Sequence, residues 1–221
     1  MPDIFDEVEE ELRAERTRQF LTRYAGAIAA AAVLVIALVA GWQGWRWYQA
    51  RQDQAAATVY IQAMLEASDT TGPNVAAAQG AALAEFAQLA QHAPAGYRTL
   101  ARLRAAALEA TQGHMPQALA LWNEVATDSS ADLLLRNLAE LLWTQHQIDT
   151  GDPATLESRL KPLATPNDPW HAMATEQLAL LALRQGKTGE AKQMLTALSN
   201  DVTVPEGVRQ RATAVLAQLP G

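Results

Sequence analysis

The sequence predicts an all-α chain: an apolar N-terminal transmembrane helix followed by a solenoid of helical hairpins. Three observations predict it. The 22 residues between Arg23 and Arg46 carry no charge. Directly after this run stands Gly41-Trp-Gln-Gly-Trp-Arg-Trp-Tyr48, which holds three of the chain's six tryptophans although only 6% of its residues are aromatic. Beyond it, alanine-rich segments of roughly 12–20 residues alternate with short Gly, Pro and Asp breaks, and no run shows the period of two that strands need.

Composition bounds the function. The chain has 221 residues, 49% of them hydrophobic and 19% charged, enough for one medium domain with an appendage. A net charge of −7 and a pI near 5.1 argue against nucleic acid, whose binders present a basic face. Cysteine is absent, so no disulfide, thiolate nucleophile or cysteine metal site is available. A helical domain of this size needs no disulfide, so that absence leaves the compartment open.

Residues 1–23 form the first element, with a helix expected over Pro2–Arg23. Ile4, Phe5, Val8 and Leu12 fall at near-helical spacing among Asp6, Glu7, Glu9, Glu10 and Glu11. Such a segment serves equally as a docking helix for a cytoplasmic partner or as a solvated tail. Acids early and arginines late suit the helix dipole in either case.

Residues 24–48 form the second element, a membrane span, since about 20 apolar residues cross a bilayer core as a helix. Trp42, Trp45, Trp47 and Tyr48 read as its interfacial belt, because such rings bury an apolar body and keep a polar edge wet. Arg46 can place its charge among headgroups. The small residues of Ala37–Gly41 also suit a cleaved signal peptide. Such a peptide starts with a short basic stretch, whereas residues 1–23 carry seven acids and four arginines, so a retained anchor is expected. Arg13, Arg16, Arg18 and Arg23 precede the span, and Arg46 and Arg51 follow it. By the positive-inside rule the N-terminus is cytoplasmic and residues 49–221 are translocated. Gly26, Ala30, Gly41 and Gly44 offer small surfaces on which a neighbouring helix can pack.

Helices are then expected over Asp53–Ala67, continuing out of the span, and over Val75–His92. Breaks are expected at 68–74, 92–96, 128–130, 150–153 and 165–169. Superimposing Gly113 on Gly186 aligns Ala106 with Ala179, Ala118 with Ala191, Trp122 with Leu195, and Val125 with Leu198. Small residues meet across a glycine turn and a bulky residue fills the gap beyond them. This resembles the tetratricopeptide pattern. The glycines are 73 positions apart, about five more than two repeats of 34, so the intervening unit carries an insertion, and 131–163 fits its slot. Its small position is Leu138-Ala139, and its long turn runs from Gln147 to Pro153. The hairpin 53–92 fits a degenerate first unit, and 208–219 a terminal capping helix after Pro205.

Chemistry is sparse. Gly186-Lys187-Thr188 lacks the glycine that a phosphate loop needs at position 181, which is leucine, and it lacks a preceding strand. His92, His114, His146 and His171 are scattered, with no pair at i, i+4. No catalytic constellation, cofactor site, metal site or small-molecule substrate is expected, and so no enzyme. The repeats offer a surface instead. The first helix of each hairpin in such arrays lines a groove for peptides or helices. That geometry turns Leu100, Leu103, Ala107, Leu133, Arg136 and Trp143 inward, then Met173, Glu176, Leu180, Leu183 and Arg184. The main candidates for partner contact are Leu103, Trp143, Met173, Leu180, Leu183 and Arg184. Apolar helix faces are equally often core, and the terminal helix offers a second cover.

The N-terminal span, Gly44-Trp-Arg-Trp-Tyr48, the helix bearing Tyr60 and Met64-Leu65, and the alanine-rich hairpins together resemble the YfgM-like ancillary subunits of the bacterial Sec translocon. The resemblance covers nearly the whole chain after about residue 20. It implies an inner-membrane protein with a cytoplasmic N-terminus and a periplasmic repeat domain. It also implies two protein partners: translocon subunits and a membrane-anchored, prolyl-isomerase-like periplasmic chaperone. A tethered assembly factor for another envelope complex shares this architecture and stands as the alternative.

Overall fold

Alanine carries the highest helix propensity and lets helices approach closely, and every regular element here is helical. The computed structural model describes residues 4–68 and 74–219, with side chains from Arg23 onward except Ile28. Among these residues there is no strand. The helices are α1 (Ile4–Ser68), α2 (Val75–His92), α3 (Ala95–Thr111), α4 (Met115–Thr127), α5 (Leu133–Gln145), α6 (Pro153–Leu160), α7 (His171–Arg184), α8 (Thr188–Asn200) and α9 (Glu206–Gln218). The expected first helix is present in the backbone from Ile4, but the faces proposed for it lie outside the described side chains. Most of the turn expected at 68–74 also lies outside the described residues.

The chain divides into two compact units, residues 1–52 and 53–221. In the first, the apolar part of α1 buries nothing: Val33, Leu34, Ile36 and Leu38 are each 60–67% exposed. Aliphatic side chains bared to this extent on every side are unfavourable in water. The most apolar 18-residue window of this helix has no buried residue and is long enough to cross a bilayer.

In the second unit the end of α1 and α2 to α8 form consecutive hairpins, and α9 closes the series. One small residue recurs in the first helix of each hairpin: Ala63, Ala106, Ala139 and Ala179 are all 0% exposed. The second helices repeat a buried triad at i, i+4 and i+7: Ala82-Phe86-Leu89, Ala118-Trp122-Val125, Leu156-Leu160-Leu163 (Leu163 in the turn just past the end of α6) and Ala191-Leu195-Leu198. The aligned residues of the sequence comparison therefore occupy equivalent buried positions. The middle unit keeps the pattern with Leu156 at the small position, and the first hairpin is a genuine member. Ala212 of α9 is equally buried and packs with Val208 on the last hairpin.

The two short turns close in the same way. Gly113 and Gly186 have φ of 85° and 74°. His114 N–H donates to Glu109 O, and Lys187 N–H donates to Ala182 O, both at 2.9 Å. This is a helix C-terminus with a left-handed glycine and a six-to-one hydrogen bond, which satisfies carbonyls the helix leaves open. The first hairpin packs through rings: the Tyr60 centroid lies 5.8 Å from Phe86 and 5.9 Å from Tyr97 of α3.

Candidate functional site

Two regions offer themselves, one in each unit. In the first unit, Trp42, Trp45, Trp47 and Tyr48 are 60%, 63%, 59% and 54% exposed. One helical turn separates Trp42 from Arg46 and Trp47 from Arg51, so each pair shares a face. The guanidinium of Arg46 lies 4.8 Å from the Trp42 ring centroid, and that of Arg51 lies 4.2 Å from Trp47. The sequence marked Arg46 alone as a headgroup contact. The Trp47–Arg51 pair was legible at the same i, i+4 spacing.

In the second unit the candidate groove residues do not form one open surface. Leu103 is 8% exposed and sits in the core with Ala106, Trp122 and Ala139. It faces inward because α4 and α5 both pack over that side of α3. Trp143 is half-buried, and the Arg159 guanidinium lies 3.7 Å from its ring centroid. Arg159 also donates to Glu140 at 3.1 Å and to Asn123 at 2.9 Å, tying α4, α5 and α6 together. Burial raises the Glu140 carboxyl above its ordinary range, and the Arg159 charge partly offsets this. Arg184 is exposed, but its guanidinium donates to the carbonyls of Ile148 at 2.8 Å and Gly151 at 2.7 Å. Its visible role is to hold the long turn of the preceding hairpin.

Met173, Leu180 and Leu183 remain, half-buried along one stripe of α7. Met173 and Leu183 pack against the core that α9 helps to form. Glu176 on the same helix is buried, and Arg211 of α9 grips it with two hydrogen bonds of 2.6 Å. That bidentate pair raises the Arg211 pKa. The terminal helix therefore covers part of the predicted surface.

Leu133, which the repeat geometry turned toward the groove, is 61% exposed in the first turn of α5. Exposed apolar side chains that the sequence reading did not select are Ile61 and Leu65 of α1, at 59% and 68%, and Leu134 beside Leu133. The available signal was an offset. Ala56, Tyr60, Ala63 and Ala67 make the stripe that enters the core, and Ile61 and Leu65 fall beside it.

The histidines are held locally. His92 and His171 donate to the carbonyls of Gln88 and Ala164, His114 meets Glu109 at 2.8 Å, and His146 stacks on Trp122 at 4.6 Å. Among the described residues no three His, Asp or Glu side chains cluster as metal ligands.

A family model for the tetratricopeptide repeat-like domain matches residues 18–135, more than half of the chain. The match takes in the apolar span, the first two hairpins and the start of α5. Neither a curated protein nor a solved structure matches.

Proposed function

The chain belongs to the tetratricopeptide repeat-like domain family, and on that premise we propose a non-enzymatic, single-pass membrane protein whose repeat domain binds other proteins. The observation that carries this reading is the uniform exposure of the aliphatic side chains in the apolar part of α1, in a chain whose other unit buries a core in each hairpin. A helix that is apolar on every side requires an apolar surround, and helical-hairpin arrays serve mainly as binding surfaces.

The finer reading is an ancillary subunit of the bacterial Sec translocon, of the YfgM-like kind. In this reading it lies in the inner membrane with a cytoplasmic N-terminus. Residues 49–221 lie in the periplasm and work with a membrane-anchored chaperone in protein export. Support comes from the resemblance across the span, the run at 44–48 and the hairpins, and from the four arginines before the span against two after it. The stripe of Met173, Leu180 and Leu183 is the candidate contact within the repeat domain.

Purification of the full chain from membranes in mild detergent tests the partner, and protease treatment of spheroplasts tests the orientation. Recovery of translocon subunits and digestion of the repeat domain are expected. Recovery of a different envelope machine would replace the export reading by an assembly role. Protection of the repeat domain would reverse the orientation.

A further inference from the structure

The collar at the end of the span shows what surrounds it. Successive residues of a helix turn by about 100°, so Trp42, Trp45, Trp47 and Tyr48 lie at about 0°, 300°, 140° and 240° around the axis. Their exposures are nearly equal. A partner helix would occupy one side. Rings set so that no gap between neighbours exceeds about 140° instead match a surround that meets the helix on several sides, which is the interfacial layer of a bilayer.

The two arginines are distributed in the same way. Arg46 and Arg51 lie about 7.5 Å apart along the axis and about 140° apart in rotation, so one partner helix cannot meet both. Each guanidinium rests on an indole one turn earlier. A guanidinium held over an indole face keeps N–H donors on its far side for an oxyanion. No Asp or Glu occurs from Arg16 to Gln52, although the whole chain carries a net charge of −7. The positive charge is therefore concentrated around the span, with no acid in that segment to neutralise it.

We propose that the Trp42–Arg46 and Trp47–Arg51 pairs form a collar that binds the phosphates of anionic phospholipids. Each indole orients its guanidinium, and the free edge of the fork donates paired hydrogen bonds to one phosphodiester. Zwitterionic lipids carry their own cation beside the phosphate, which competes with the guanidinium. Phosphatidylglycerol has no such cation, so the collar selects it. This inference rests on the membrane reading above and adds a lipid preference to it.

The test uses the full chain in phosphatidylcholine vesicles that contain a fixed fraction of either brominated phosphatidylglycerol or brominated phosphatidylcholine. Tryptophan fluorescence is the readout, with Trp122, Trp143 and Trp170 as a constant background. Brominated phosphatidylglycerol should quench roughly two- to fivefold more effectively, and added salt should reduce the preference. In Arg46→Gln/Arg51→Gln the two lipids should quench equally, with quenching by the phosphatidylcholine form unchanged. Arg46→Lys/Arg51→Lys keeps the charge but not the stacked fork, and should show an intermediate preference. Equal quenching by both lipids in the wild type overturns the proposal, as does a full preference in the lysine variant. Loss of an acidic protein partner in the glutamine variant, without any lipid preference in the wild type, would make the collar a protein interface. Absence of quenching by either lipid would instead remove the membrane reading itself.

Discussion

The hairpins α5–α6 and α7–α8 bury the same pattern and turn in different ways. In α7–α8 the small residues Ala179 and Ala191 are twelve positions apart, joined through Gly186 at positive φ. In α5–α6 the corresponding Ala139 and Leu156 are seventeen apart, and the five extra residues lengthen the turn. That turn has its own supports. Asp152 caps α6, accepting from Thr155 N–H at 2.8 Å and Thr155 Oγ1 at 2.7 Å, and Pro153 opens the helix. Arg184 reaches back from the next hairpin to two turn carbonyls. Gly151 stands at a close approach, since a Cβ there would lie 3.0 Å from Gln147 O and 3.2 Å from Leu156 Cδ1. A hairpin of this kind is thus defined by where its small and bulky residues meet. The turn is free to vary if something else satisfies its backbone.

The largest effect expected from this comparison is at Leu156, which is fully buried where neighbouring hairpins carry alanine. Leu156→Ala leaves a cavity in the longer hairpin and should cost about 2–5 kcal/mol. Denaturant unfolding of the full chain in detergent reads it, and a loss under about 1 kcal/mol would break the shared register. The converse change, Ala191→Leu, overpacks the tighter hairpin and should cost about 1–3 kcal/mol. An unchanged unfolding midpoint would mean that α7 and α8 do not meet at that residue.

Turn substitutions come next. Gly186→Ala places a Cβ on a left-handed residue and should cost about 1–2 kcal/mol, with no counterpart at the longer turn. Arg184→Met removes both donors from the turn carbonyls and should cost about 1 kcal/mol, because the group is exposed. Hydrogen exchange sharpens this case: Arg184→Met should speed exchange at 147–152 while leaving the Gly186 turn protected. Uniform acceleration across both hairpins would deny Arg184 its local role.

The smallest effect is a pH dependence. Hydrogen bonds from the Thr155 side chain and backbone hold the Asp152 carboxyl below its ordinary range. Asp128 and Asp201 are lowered likewise by Ser130 and Thr203. A lowered folded pKa contributes stability that is present above the unfolded value and lost as pH falls through the folded one. Asp152→Asn should therefore unfold more easily than the wild type at pH 7, with the difference vanishing in strong acid. A constant gap across the acid range would mean that ionisation of Asp152 plays no part.

Much of this was legible in the sequence because it depends on local spacing. The uncharged run, the tryptophans at its end, the left-handed glycines and the recurring small and bulky residues each follow from helix geometry within one or two turns. Leu138-Ala139 already marked the middle unit, although its long turn hid the alignment with Leu156. The groove was not legible in this way. Leu103 and Trp143 satisfy the same periodicity as surface residues would, and burial depends on helices that arrive from elsewhere in the chain. Leu103 is covered by α4 and α5, Trp143 by Arg159 of α6, and Glu176 by Arg211 of α9, the last across 35 positions.

Residue order alone makes the chain helical, makes one helix apolar on every side, and makes the rest repeat as hairpins. Those properties follow from backbone propensity and from periods of a few residues. Which apolar faces become core and which stay open depends on how the helices assemble. Ile61 and Leu65 remain exposed beside a stripe that is buried, and Arg184 joins two hairpins instead of greeting a partner. Burial is a property of what packs against a residue, and the packing element is set by the path of the whole chain.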